Sequence, residues 1–98
     1  MRTMGGWVYI LASAPYGTLY VGVTANLDRR VRRHRESDGS TFCGKYKVHR
    51  LVHAERFGDI RTAIRREKRL KKWERRWKIA LIEKENPGWN DLYDQLSW

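Results

Sequence analysis

Two short apolar runs near the N-terminus, residues 7–12 (WVYILA) and 18–23 (TLYVGV), limit the fold more than any other feature of the chain. Both are rich in β-branched and aromatic residues, which suit a pleated surface, and Ser13-Ala14-Pro15-Tyr16-Gly17 between them has turn chemistry. The pair reads as a β-hairpin. A lone hairpin is marginal in water, so the rest of the chain must supply a further strand and cover the apolar faces. A turn centred on Ala14 and Pro15 would set Tyr9 directly opposite Tyr20 on one face.

Downstream, Asn26 is a good N-cap and Asp28 stands in the first turn of a helix running to about Glu36, with Leu27, Arg30, Val31 and His34 on one face. Residues 37–47 read as a loop, and 48–57 (VHRLVHAERF) as a third strand ending at Gly58. Asp59 caps a second helix whose stripe is Ile60, Ala63, Ile64, Glu67 and Leu70. The periodicity continues through Trp73, Trp77, Ala80 and Leu81 to Glu85, where Asn86-Pro87-Gly88 stops it. Residues 89–96 (WNDLYDQL) read as a last short helix that closes the core with Trp89, Leu92 and Tyr93, and Trp73 and Trp77 are also expected in the core. The fold class is α+β: a small three-stranded antiparallel sheet flanked by helices. With 98 residues and no repeat or linker-like tract, a single domain over 1–98 is expected.

Charge narrows the partner. A formal net charge of +10 at this length points to a polyanion, and nucleic acid is the commonest. A membrane partner would need a long apolar span or an amphipathic segment with exposed apolar residues, and neither is present. The N-terminal stretch lacks a cleavage pattern and reads as a strand of a cytoplasmic protein, with a monomer expected. Cys43 stands alone, which excludes an intrachain disulfide and argues against a cysteine zinc site.

Two polar residues occupy stripe positions that packing alone would give to Leu or Ile: Glu67 and Arg30. An ionised carboxylate there is costly unless compensated, so Glu67 is either paired, to Lys71 or Arg30, or a metal ligand. Arg30 and His34, one turn apart, either reach water at the stripe's edge or serve a site. Taken singly, Tyr9 and Tyr20 are ordinary strand aromatics.

Together these residues resemble a known family. Val8-Tyr9-Ile10, Tyr20-Val21-Gly22, Arg30 ten residues after Tyr20, and His34 four further on are similar to the GIY-YIG nuclease family, over roughly residues 7–83. The stretch RREKRLKKW around Glu67 resembles small stand-alone bacterial members, and the domain as a whole resembles the catalytic domain of bacterial excinuclease. The resemblance implies an active site of Tyr9, Tyr20, Arg30, His34 and Glu67, with Glu67 holding Mg²⁺ or Mn²⁺, and a metal-dependent endonuclease acting on nucleic acid, with DNA expected. The family's late polar residue would be Asn86 or Asn90. Val8 and Trp7 depart from the first motif, and Val23 stands where some members carry Lys. A catalytically inactive nucleic-acid-binding module, or a nuclease working with a protein partner in a larger repair complex, is the alternative.

Phosphodiester hydrolysis needs an activated water and stabilisation of a phosphoryl group gaining charge. Arg30 suits the phosphate because its planar fork contacts two oxygens at once. Tyr9 would take the water's proton, with His34 accepting or passing it on, and Tyr20 would orient the water or phosphate. The difficulty is the phenol: lowering a pKa of about 10 to near 7 requires roughly 4 kcal/mol of preferential phenolate stabilisation.

Overall fold

The computed structural model describes residues 4–36 and 42–96. Strands β1 (Gly6–Ala12), β2 (Leu19–Thr24) and β3 (Arg50–Phe57) form one antiparallel sheet in the order β2-β1-β3. Helices α1 (Leu27–Arg35), α3 (Ile60–Lys72) and α4 (Arg75–Glu85) flank it, with a single-turn helix α2 (Phe42–Lys45) and a 3₁₀ turn over Tyr93–Gln95. The α+β class and the three-stranded sheet expected from the pattern are thus observed. The turn α2 falls inside a stretch read as loop, the remainder of which at 37–41 lies outside the described residues.

Both faces of the sheet are covered, which is why residues 8–12 are apolar without alternation and fully buried. On one face Val8, Ile10, Ala12, Val21 and Val52 pack with Ala63 and Leu70 of α3, Ile82 of α4 and Trp89. On the other, Tyr9, Leu11 and Leu51 pack with Leu27 and Val31 of α1, Val48, and the C-terminal Leu92, Tyr93 and Leu96. Gly6 lets α3 lie close on β1, because a Cβ there would sit 2.5 Å from Ile60 Cδ1.

The hairpin register differs from the expectation. Tyr9 pairs with Gly22 and Tyr20 with Leu11, so the two tyrosines are diagonal neighbours on one face. The cause is the turn: Gly17 N–H donates to Ala14 O at 2.9 Å, Pro15 takes the second position, and Tyr16 takes the third with φ 60°. The turn's centre therefore lies between Pro15 and Tyr16, one residue later than expected. The shift in register is two residues, which preserves the shared face.

The helices show three further differences. Ile64 is 37% exposed, since the stripe touching the sheet is the narrower set Ile60, Ala63 and Leu70. The helical pattern running to Glu85 is broken at Trp73 and Glu74, both extended, so α4 restarts the phase: Ile82 is buried while Trp77 is 47% exposed and Ala80 exposed. The Arg66 guanidinium stacks 5.1 Å above Trp73, and Arg75 Nη2 donates at 2.6 Å to the Tyr16 and Gly17 carbonyls, tying the start of α4 to the hairpin turn. Only Tyr93–Gln95 is helical within 89–96: Trp89 takes a positive φ of 54°, and Leu92 N–H donates to Leu51 O at 2.8 Å, which ties the preceding segment to β3. Among the described residues no helix is long and apolar enough to cross a membrane.

Candidate active site

The N-cap expected at Asn26 is formed: its side chain accepts from Arg29 N–H at 3.0 Å, starting α1 immediately after β2. Leu27 and Val31 anchor α1 on the sheet. Arg30 and His34 follow from that anchoring, one turn apart and half-buried.

Three of the five expected residues meet directly. Tyr9 Oη lies 3.1 Å from His34 Nε2, and the Tyr20 ring stands 5.3 Å from His34, edge-on at 62°, and 6.3 Å from Tyr9. Tyr9 is fully buried and lies over Gly22, where a Cβ would be 2.4 Å from both Cζ and Oη. The motif glycine thus makes room for the first tyrosine. Tyr20 is half-buried and meets solvent at the outer edge of β2. Burial first, then the positive charges of Arg30, His49 and Arg33, push the His34 pKa below its ordinary 6.5.

Arg30 lines a polar hollow of about 230 Å³ with Thr24, Asn26, Arg29 and Arg33. Glu67 belongs to α3; its side chain is 12% exposed and Lys71 Nζ pairs with it at 2.9 Å, so of its two expected ion-pair partners it takes Lys71. Its link to the cluster runs through Lys71, which with Lys78, Leu19, Tyr20 and Val21 lines a second hollow, of about 440 Å³, along the β2 edge. Among the described residues no group of three or more His, Cys, Asp or Glu could hold a metal ion. Glu67 offers one hard oxygen donor, which fits magnesium or manganese, whose remaining positions go to water and phosphate oxygens, and does not fit a zinc or calcium cage.

Asn86 is buried and its amide is fully engaged: Nδ2 donates to Val52 O and Asn90 O, and Oδ1 accepts from Asn90 N–H. It pins the 86–90 loop to β3. Sequence reasoning missed Lys71 and His49. Lys71 was visible as an i+4 partner of Glu67 but not as a neighbour of Tyr20, and His49 had no local signal, since its effect on His34 is a product of the tertiary fold. Its Nδ1 is buried without a hydrogen-bond partner. Outside the site, Glu55 accepts from His53 Nε2 at 2.8 Å and from Arg66 at 2.9 and 3.0 Å.

Comparison with known proteins shows the family. The family described as the GIY-YIG catalytic domain matches residues 5–80. A UPF0213 protein of Natronomonas pharaonis is 37% identical over 79 residues, covering 81% of this chain and 92% of its own length. Another from Halobacterium salinarum is 36% identical over 75 residues, 76% of this chain and 96% of that protein. The solution NMR structure of a UPF0213 protein from Bacillus halodurans superposes with a TM-score of 0.57 at 30% identity, over 90% of this chain and 93% of that one. The match over residues 5–80, most of the chain, makes this protein a member of the GIY-YIG family of nuclease domains.

Proposed function

We propose that the chain is a metal-dependent endonuclease that hydrolyses phosphodiester bonds, with DNA as substrate, in a cytoplasmic setting. The observation that carries the reading is the Tyr9–His34 contact at 3.1 Å, made to an imidazole whose burial and cationic neighbours favour its neutral form. With its proton on Nδ1, the neutral imidazole accepts the Tyr9 O–H at Nε2. As an attacking water gives its proton to Tyr9 Oη, the phenol passes its own proton to His34, so no free phenolate need form. The roughly 4 kcal/mol required to hold a phenolate at neutral pH is thereby avoided. Tyr20, the more exposed phenol, meets the substrate first and orients it, while Arg30 places a two-point contact on the phosphate. Glu67 would hold Mg²⁺ or Mn²⁺, which when bound would supply positive charge for the developing phosphoryl and leaving oxygens.

The Lys71–Glu67 ion pair favours a second reading, a nucleic-acid-binding module without activity, because it places an ammonium on the expected metal carboxylate. The test is incubation of pure protein with labelled duplex, branched and single-stranded DNA and RNA, with Mg²⁺, Mn²⁺ or chelator, beside Tyr9→Phe. Cleavage that needs the metal and falls at least about 100-fold in Tyr9→Phe supports the enzyme. Tight binding with no cleavage of any substrate overturns it in favour of the module.

A further inference from the structure

Helix α1 is capped by Asn26 and carries Asp28 in its first turn and a basic last turn, yet its opening also holds charge that the helix opposes. Arg29 and Arg30 lie in its opening turn, where the helix dipole disfavours positive charge, and Arg33 follows Arg29 by four residues, a like-charge spacing. An exposed helix under no other demand would place acids here, as Asp28 does. Among the described residues Arg29, Arg30 and Arg33 have no ion pair, whereas Arg32 is paired to Asp28 at 3.4 Å. The three unpaired guanidiniums line one hollow, with Thr24 and Asn26 completing its wall. Their field already reaches His34, whose pKa Arg30 and Arg33 lower. Positive charge gathered in a concavity without a counter-charge suits an anion, and the anion the proposed activity brings to this face is a backbone phosphate.

We propose that this hollow is a second phosphate subsite, in which Arg29 and Arg33 hold the phosphate adjacent to the one being cleaved, leaving Arg30 between the two. The proposal rests on the nuclease reading for the identity of the neighbouring phosphate. It sets the register of the strand: the bond cleaved lies one nucleotide from a phosphate gripped at α1. It also gives the arginines a role in proton transfer. A phosphate in the hollow offsets the charge that otherwise opposes protonation of His34, so His34 accepts the proton when substrate is in place.

The experiment uses a DNA substrate in which the linkages flanking the cleavage position are replaced, one at a time, by neutral methylphosphonates. Equilibrium binding and single-turnover cleavage are both measured, for wild type, Arg29→Ala/Arg33→Ala and Arg32→Ala. In wild type we expect one flanking position to lose about 10-fold or more in binding, and that sensitivity to disappear in the double variant. Two arginines on one phosphate should lower the slope of log K against log salt by about 0.9 in the double variant, against about 1.8 if each held a separate phosphate. Arg32→Ala should leave the sensitive position unchanged. The double variant should melt no lower than wild type, since a repulsion is removed. Equal losses at every linkage, a slope change near 1.8, or an Arg32→Ala that erases the sensitive position as the double variant does, would overturn the subsite. If no substrate is cleaved the enzyme reading falls, and the binding measurements still decide the subsite on the same criteria.

Discussion

Gly22→Ala tests the centre of the site without removing any of its chemical groups. The added methyl would stand 2.4 Å from Tyr9 Cζ and Oη and 2.9 Å from Cε1, where carbon atoms prefer about 3.5–4.0 Å, so the ring must withdraw by roughly 1 Å. It has little room to do so. Tyr9 is fully buried on the central strand and packed against Tyr20 and His34. Overpacking of this kind costs about 2 kcal/mol at the middle of its usual range, and the lower unfolded-state entropy of Ala relative to Gly returns about 0.4–1, for a net loss of roughly 1–1.6 kcal/mol. The Tyr9–His34 distance, 3.1 Å in the native site, passes beyond hydrogen-bond range after such a shift. A misplacement of about 1 Å at a proton-transfer step commonly lowers rates about 100-fold. Urea unfolding measures the first quantity and single-turnover cleavage at saturating protein the second. In a Tyr9→Phe background the same glycine substitution should cost little further rate, because the oxygen it displaces is already gone. A Gly22→Ala protein within about 0.5 kcal/mol of wild-type stability that cleaves within twofold of wild type would refute the reasoning.

Glu67→Ala should abolish cleavage yet bind nucleic acid as well as or slightly better than wild type in a filter-binding assay, since a carboxylate is lost and Lys71 is released. Arg30→Lys should recover little of the roughly 10²- to 10³-fold rate lost in Arg30→Ala, as read in single-turnover cleavage, because the charge remains but the fork does not. With His34 as the proposed base and its pKa pushed below the ordinary 6.5, the acid limb of kcat/KM should have its midpoint below pH 6.5; the matching limb of kcat should lie at higher pH, because bound phosphate offsets Arg30 and Arg33. Burial alone would raise the Glu55 pKa, but hydrogen bonds from His53 and Arg66 hold it at about 2 against an ordinary 4.5, so its stabilisation is complete above about 4.5 and is lost as pH falls towards 2. For a partly exposed carboxylate this amounts to about 2 kcal/mol, and urea unfolding of Glu55→Gln should lack that pH dependence.

What could be read from the sequence was what is decided locally. Asn26 and Asp59 were recognisable as caps because a cap needs only a side-chain oxygen and the next two or three amides, and both bonds are formed. The apolar runs announced strands because the sheet is covered on both faces. Tyr9, Tyr20, Arg30 and His34 stood at readable motif spacings. The register was not readable, since it depends on Tyr16, a residue with a Cβ, adopting the positive φ that turn chemistry usually assigns to Gly or Asn. Nor was the break at Trp73, where neither Gly nor Pro interrupts the pattern and a cation–π contact and a reach from Arg75 to a distant turn redirect the chain. The exposure of Ile64 and Trp77 follows from the same cause: stripe width and phase are set by what the helix lies on.

The basic excess has an internal division that sequence alone conceals. Most arginines hold the fold together. Arg66 binds Glu55, Arg35 pairs with Asp91, Arg50 donates to Trp89 O, Arg75 reaches two turn carbonyls, and Arg61 and Arg76 pair with nearby acids. Arg65 donates to Thr62, and Arg56 stacks on Trp7. Among the described residues Arg29, Arg30, Arg33 and Arg69 remain without a side-chain hydrogen bond, ion pair or cation–π contact, and three of these four lie together around one hollow on α1. A general wish for solubility would spread unpaired charge over the surface. Its concentration beside His34 suits the proposed contact with phosphate, and it sets the proposed phosphate-binding arginines and the proposed proton acceptor on the same nine-residue element.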